Sequence, residues 1–377
     1  MEESFHELVS QVVKARFGES AKVSSSELVK DGERNVIRRV FLEGQETPSS
    51  VIAKMLKTDH RRGYTDLASL RFLSGIEGMQ KVAPRIVGAS DSGRVFLMED
   101  LGPARSLDKV LAKGDEMVTV QHLMALARQM ARLVVATLGQ GEEKFAMIRR
   151  QYPGYLEVGR EAEVMNWRAG LSRLESLADR LGLRIPRPAA LCVQQLGQTY
   201  AEAPGALAFS HGDPAPTNNH IGEDGRVRLI DFEYGAYRHF YYDLTGWFIL
   251  CPLPLRWVDT MVTAFRTELA LSLPEVANPL WHARQWSAIS AYRGIAMLTW
   301  ISESAVEEDR PWVGAWSARS AMISTSLRLH QATASVPELA PFAEFSQALG
   351  DSLQSRWPEL GKGEIKWAGV GEGAPEL

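Results

Sequence analysis

Residues 211–235 read HGDPAPTNNHIGEDGRVRLIDFEYG. The stretch opens on a His-Gly-Asp turn, stiffens through Pro214 and Pro216, and reaches Asn218 five positions after Asp213. An apolar strand then delivers Asp231 at its end, with Glu233 two residues on and, on an extended chain, facing the same side. Taken singly, Asp213 is a turn cap and Asp231 a strand end, places where acids are common. Taken together they are the kit of phosphoryl transfer. One carboxylate, Asp213, orients a hydroxyl and accepts its proton, while the amide oxygen of Asn218 and the carboxylate of Asp231 hold Mg²⁺ against phosphates. Oxygen ligands of this kind suit a hard cation.

Upstream residues strengthen that reading. In VIAKMLK, residues 51–57, Lys54 falls inside an apolar strand, where an ammonium group needs a partner. It reads either as a grip on the α- and β-phosphates of a nucleotide, with Asp66 on the following helix as its carboxylate partner, or as an edge-strand lysine snorkelling to water, with Asp66 an ordinary helix-start acid. The turn in VKDGERNVIRRV brings Gly32 and Asn35 to its tip, where backbone N–H groups could cover phosphates. The apolar run VFLMEDLG closes the first hundred residues with a connection that can present main-chain groups to an adenine ring.

The chain around these residues changes character near Gly102. Before it, NVIRRVFLEG, SSVIAKMLK and RIVGASDSGRVFLMEDLG read as strands of a small antiparallel sheet with one inserted helix, where Leu67, Leu70, Leu73 and Ile76 recur at helical spacing. An amphipathic opening helix carries Phe5, Leu8, Val9, Val12 and Val13. After it the pattern is mainly helical, including a long helix through TVQHLMALARQMARLVVATLG that ends at a C′ glycine, Gly139. The Gly-rich tail from Gly361 reads as loose. The 377 residues, with 45% hydrophobic and 23% charged, form a globular α+β protein. A net charge of −4 gives no reason to expect nucleic acid. Cys192 and Cys251 match no metal spacing. With no leader-like start and no credible membrane span, the expected setting is the cytoplasm.

The order of Gly32-containing turn, strand lysine, helix acid, LMEDLG, HGDPAPTNN and LIDFEYG resembles the aminoglycoside phosphotransferase/choline kinase family, over about Leu28 to Phe248. The resemblance implies a bilobal protein-kinase-like fold, with an N-terminal nucleotide-binding lobe at 1–101 and a C-terminal lobe at 102–377. It implies an ATP- and Mg²⁺-dependent transfer of phosphate to a hydroxyl of a small polar molecule. Asp213 would be the base, Asn218 and Asp231 the metal ligands, and Lys54 the phosphate contact. Glu99 and Leu101 would face adenine through their main chain, beside Met98 as a gatekeeper-like residue. His211 and Glu233 would be secondary members of the site. The tract IDFEYGAYRHFYYDLTGWF is also similar to choline and ethanolamine kinases, in which a downstream acid, here Asp243, follows. Three positions depart from the family pattern: Asp66 stands where a glutamate is usual, and Pro214 and Ala215 replace a larger residue and a histidine.

The acceptor is not named by these residues. Trp281, Trp286, Tyr292, Trp300, Trp312 and Trp316 read either as an aromatic box for a cationic or flat substrate or as helical core. Glu303, Glu307, Glu308 and Asp309 read either as a receiver for amino groups or as a solvated loop. Two alternatives accompany the phosphotransferase reading: an amino-alcohol kinase of the choline/ethanolamine type, and a nucleotide-binding module without catalysis. A protein kinase is disfavoured, since neither HRD nor DFG occurs. GxxxxGK[ST], HExxH and GxSxG are absent too. Oligomeric state is not legible.

Overall fold

The computed structural model describes residues 5–58, 61–103, 105–154, 160–201, 205–251, 253–313 and 316–363. The side chain of Glu303 and the tail from residue 364 lie outside them. In chain order the elements begin with α1 (Phe5–Phe17), β1 (Lys22–Asp31), β2 (Asn35–Glu43), β3 (Ser50–Leu56), α2 (Arg61–Ser74), β4 (Ile86–Ala89) and β5 (Val95–Glu99). Helices α3 (Leu107–Lys113), α4 (Glu116–Thr137), α5 (Glu142–Arg149), α6 (Arg160–Arg180) and α7 (Arg187–Ala201) follow. Then come β6 (Leu207–Ser210), β7 (Asn219–Ile221), β8 (Val227–Leu229), β9 (Ala236–His239), α8 (Tyr242–Ile249), α9 (Leu255–Leu269) and α10 (Pro279–Ala305). The last are β10 (Pro311–Val313), β11 (Trp316–Ser317), α11 (Ala318–Thr333) and α12 (Ala340–Arg356). The fold is α+β, as the sequence implies.

Packing divides the chain into two compact units, neither of them contiguous. The first unit combines Met1–Leu107, Gln140–Glu157 and His211–Ala236; the second takes Asp108–Gly139, Val158–Ser210 and Tyr237–Leu377. The segment 211–236 thus packs with the N-terminal sheet, although it follows it by more than a hundred residues of chain.

The first unit is built on an antiparallel sheet of order β1-β2-β3-β5-β4. Alternation along β3 separates its two faces. Val51 and Ala53 turn to one side and meet Val40, Leu42, Val95 and Leu97, and the apolar stripe Leu8, Val9, Val12 and Val13 of α1 closes that core. Lys54 therefore points to the opposite side, where α2 lies. The helix enters close to the sheet: a Cβ on Gly63 would stand 2.3 Å from Leu56 Cδ2, so any other residue there would push the Leu56 side chain aside. Helix α2 ends at Ser74, which leaves Ile76 beyond it rather than in the predicted stripe.

Helix α5 packs against α2 and supplies a buried Arg149. Its guanidinium donates to Thr65 Oγ1 and to the carbonyls of Arg61, Tyr152, Pro153 and Gly154, all at 3.1–3.2 Å. Arg149 thereby fixes the start of the helix that carries Asp66. Below it, β7 and β8 form a hairpin with Asn219 opposite Leu229. Leu229 N donates to Val82 O at 2.7 Å, and Asn219 Oδ1 accepts from Leu107 N at 2.9 Å, which tie the hairpin to the rest of the unit.

The second unit is mainly helical, with α4 packed on α9, α10 on α11, and α11 on α12. Asp115 caps α4 by accepting from Val118 N at 3.0 Å, and Gly139, at φ 66°, follows its C-terminus as read from the sequence. The late aromatics divide between several places. Trp281 stacks on Phe240 at 5.9 Å, Trp286 meets Tyr241 and Phe248, and Tyr292 stacks on Trp167 at 4.9 Å. Trp316 donates to Gly363 O, Trp312 lies against Arg310, and Trp300 is exposed. Of these six only Tyr292 and Trp316 are buried, so the scatter matches neither a single aromatic box nor a uniform helical core. Glu307 pairs with Arg180 at the surface and Asp309 accepts from Arg310 N and Arg319 N, so these acids belong to an exposed loop. Among the described residues no helix is long and apolar enough to cross a membrane.

Replacing Arg149 by Met should lower unfolding stability by about 3 kcal/mol, because several buried acceptors lose a charged donor together. Denaturant unfolding of the two proteins measures the difference.

Candidate active site

Lys54 is the centre of the site. Its ammonium is 2% exposed and donates to Asp66 Oδ2 and Asp231 Oδ1, each at 2.7 Å. The three groups come from β3, α2 and the end of the β7–β8 hairpin. Burial alone would push the lysine pKa down, but the two carboxylates outweigh it and hold it above the ordinary lysine value. For Asp231, burial is opposed and outweighed by Lys54, and the carboxyl titrates below the usual aspartate range. Asp66 is pushed up by burial, which its lysine offsets only in part. The ammonium and the Asp231 carboxylate are thus charged in the neutral range.

Asp66 is the partner the sequence suggested, and it does more than pair. Its other oxygen, Oδ1, accepts from Phe232 N at 2.9 Å, and Ser69, one helical turn on, donates from Oγ to Phe232 O at 3.3 Å. Helix α2 therefore grips both sides of the Phe232 backbone. This contact corrects one expectation: Asp231 and Glu233 do not lie on an extended strand. The strand β8 stops at Leu229, and Asp231 takes a left-handed φ of 66°. Such a conformation costs a non-glycine residue roughly 1–2 kcal/mol, less for aspartate, and here the grip on Phe232 holds it. The turn sends the two carboxylates to different partners, Asp231 to Lys54 and Glu233 Oε1 to Arg34 Nη2 at 3.3 Å. Burial and the neighbouring Asp231 charge push the Glu233 carboxyl above its usual range.

The loop from His211 sits against the same hairpin. Buried His211 donates from Nε2 to Ile230 O at 2.8 Å, which leaves Nδ1 to accept from Asp213 N at 3.3 Å. Its ring lies 4.5 Å from that of Phe232. Asn218 Nδ2 donates to Asp213 Oδ2 at 3.2 Å and to Asp213 O at 3.0 Å, closing the loop on itself. Asn218 O accepts from Ile230 N at 3.1 Å, so the hairpin register sets Asn218 across from the residue before Asp231. Asp213, Asn218, Asp231, Lys54 and Asp66 are thus joined by one continuous chain of contacts within the first unit.

The remaining predicted positions are not part of that chain of contacts. Gly32 N donates to Asn35 O at 3.0 Å, giving a tight turn between β1 and β2. Met98 pairs with Ile52 and Ile86 and Glu99 with Val51, and Glu99 N donates to Arg85 O at 2.9 Å, so that this N–H serves the sheet. Leu101 follows Asp100, which is itself an anchor that the sequence did not single out. Asp100 accepts from Arg39 Nε at 2.6 Å, from Ser50 Oγ at 2.7 Å and from Gly102 N at 2.9 Å. Asp243 is buried in the first turn of α8, in the second unit. Arg34 was also missed, since nothing in a turn sequence reveals a contact made 199 positions away.

The donor set fits a hard divalent cation. No group of three or more His, Cys, Asp or Glu gathers in metal-ligating distance among the described residues. Asn218 Oδ1 and the Asp231 carboxylate are the candidate oxygens, and Mg²⁺ is commonly held by one or two protein oxygens with phosphate and water completing its shell.

No protein-family model matches the chain, and no curated protein matches it. Several solved structures do. A choline kinase from Cryptosporidium parvum Iowa II is 14% identical, with 90% of each chain covered and a TM-score of 0.46. The choline kinase LicA from Streptococcus pneumoniae is 13% identical over 92% of this chain and 99% of its own, at a TM-score of 0.47. The streptomycin–ATP–APH(2'')-IIa ternary complex is 14% identical over 81% and 96%, at 0.43.

Substituting Lys54→Met strands the buried Asp66 carboxylate. Unfolding stability should fall by about 3–5 kcal/mol, as read from the denaturant midpoint. A loss under about 1 kcal/mol would show that the pair is not buried as described.

Proposed function

We propose that this chain is a small-molecule phosphotransferase that uses ATP and Mg²⁺ to phosphorylate a hydroxyl of a polar acceptor. The observation that carries the reading is the buried Lys54 ammonium held between Asp66 and Asp231, with the Asp213–Asn218 loop bonded to the same hairpin. A lysine locked in this way is a fixed point charge for the phosphates of a nucleotide. Mg²⁺, carried on Asn218 and Asp231, would supply neutralisation of charge on the phosphate oxygens.

The chain's own groups do the rest. Asp213 receives the proton of the acceptor hydroxyl as its oxygen forms a bond to the γ-phosphorus. The bond from that phosphorus to the β–γ bridging oxygen breaks, and ADP leaves. Asn218, by donating to Asp213 Oδ2, fixes the carboxylate so that its other oxygen is available to the hydroxyl. His211 keeps the loop at the hairpin through Ile230 O. Rate enhancement in such a site comes from positioning and fixed charge.

Asp213→Ala should cut kcat by about 10²–10⁴-fold while ATP affinity stays close to that of the parent. Turnover is measured as ADP release against a panel of amino alcohols, aminoglycosides, sugars and amino-acid alcohols. Undiminished turnover in the variant would remove Asp213 from the chemistry. ATP binding with no turnover on any acceptor would favour a non-catalytic nucleotide-binding module.

Chelation with EDTA should abolish that turnover, and added Mg²⁺ should restore it. Asn218→Ala and Asp231→Asn should each raise the Mg²⁺ concentration needed for half-maximal rate. Turnover that persists in EDTA would exclude the metal assignment.

A further inference from the structure

The turn between β1 and β2 holds a cation whose position the sequence did not predict. Arg34 leaves the turn closed by Gly32 N and Asn35 O, and its backbone O accepts from Lys57 N at 2.9 Å, which anchors the turn to the end of β3. Its Nη2 donates to Glu233 Oε1 at 3.3 Å, across to the far side of Asp231. The guanidinium is 41% exposed on its side chain, whereas Glu233 is 11% exposed. Its Nη1 is buried and makes no hydrogen bond. A guanidinium offers five N–H donors in a planar fork suited to phosphate. One contact to a carboxylate leaves most of that fork unused.

Other cations converge on the same place. Arg62 of α2 lies 4.5 Å over the ring of Tyr234 and acts on the charge of Glu233, and Lys30 of β1 acts on that of Asp231. With Lys54, positive charge therefore reaches Asp231 and Glu233 from β1, the turn, α2 and β3. The carboxylates facing it are Asp66, Asp231 and Glu233. A polyanion entering this space would meet cations on several sides.

We propose that Arg34 is a phosphate-sensing residue: its guanidinium rests on Glu233 when no nucleotide is bound and swings to the terminal phosphates of ATP when one is, on a turn that stays anchored to β3. This rests on the phosphotransferase reading above. Glu233 is then the resting place of the guanidinium and keeps Arg34 beside the site. Arg34 acts as a positioning residue for the phosphates, distinct from the proton transfer at Asp213.

The test is the affinity of adenosine, AMP, ADP and ATP for the parent chain, Arg34→Ala and Arg34→Lys, with thermal unfolding of each variant. Arg34→Ala should weaken ATP by about ten- to a hundredfold, the value of a charged hydrogen-bonded contact, and leave AMP and adenosine unchanged. Arg34→Lys should recover part of the loss, because the charge returns without the fork. The free proteins should melt at similar temperatures. Equal weakening of all four ligands would make Arg34 a mere brace of the turn and overturn the proposal. Unchanged ATP affinity would overturn it too. A parent chain that binds AMP as tightly as ATP would overturn this proposal and the phosphotransferase reading together, whereas a normal phosphate dependence with no Arg34 effect would overturn this proposal alone.

Discussion

A lysine ammonium with almost no access to water is the constraint around which the first unit is arranged. Moving such a charge out of water costs several kcal/mol, and its pairing must recover that cost with good geometry. Lys54 obtains it from two carboxylates at 2.7 Å, and each must be brought there by a different element. Asp66 requires α2 to begin tight against β3, which explains both the bare Gly63 and the buried Arg149 behind the helix. Asp231 requires the hairpin to turn sharply after Ile230, which explains its left-handed backbone and the hold of Asp66 and Ser69 on Phe232. The ion pair is therefore weak evidence for stability and strong evidence for placement.

The polar groups around Asp213 obey the same economy. His211 has one ring nitrogen donating to a carbonyl and the other accepting from an amide, so a single tautomer satisfies both. Asn218 spends its amide nitrogen on Asp213 and its backbone oxygen on Ile230. Asn218 Oδ1 accepts from Thr217 Oγ1 at 3.3 Å and keeps its second lone pair, and with part of two carboxylates it makes an oxygen-rich set next to fixed positive charge.

Much of this was legible in the sequence, and the exceptions share a cause. A lysine in an apolar strand, an acid on the next helix and the spacing of Asp213, Asn218 and Asp231 are local patterns that can be read without knowing the fold. The sheet, its inserted helix and the glycine after α4 were legible for the same reason. Asp100, Arg149 and Arg34 were not, because each draws its meaning from partners distant in sequence. Arg149 sits in an unremarkable amphipathic stretch, and only the fold turns Arg61, Thr65 and the 152–154 carbonyls toward it. The turn at Asp231 was missed although alternation breaks at the adjacent Leu229 and Ile230, because a second alternating run, Ile230 to Glu233, follows at once and reads as more strand.

The discontinuity of the first unit has a consequence for the order in which the chain can fold. Lys54 and Asp66 are twelve residues apart and can meet as soon as α2 forms, but Asp231 is 177 residues further along from Lys54. During synthesis the sheet, α1 and α2 emerge long before the hairpin that completes them. Until then the ammonium has half its compensation, and Phe232 is not yet there to occupy the other oxygen of Asp66. Long-range closure of this sort is slow and leaves apolar surface open in the interval. A nascent chain halted between Asp66 and Asp231 would thus be an incomplete sheet with an under-neutralised lysine, exposed to chaperones and proteases, rather than a finished domain waiting for its neighbour.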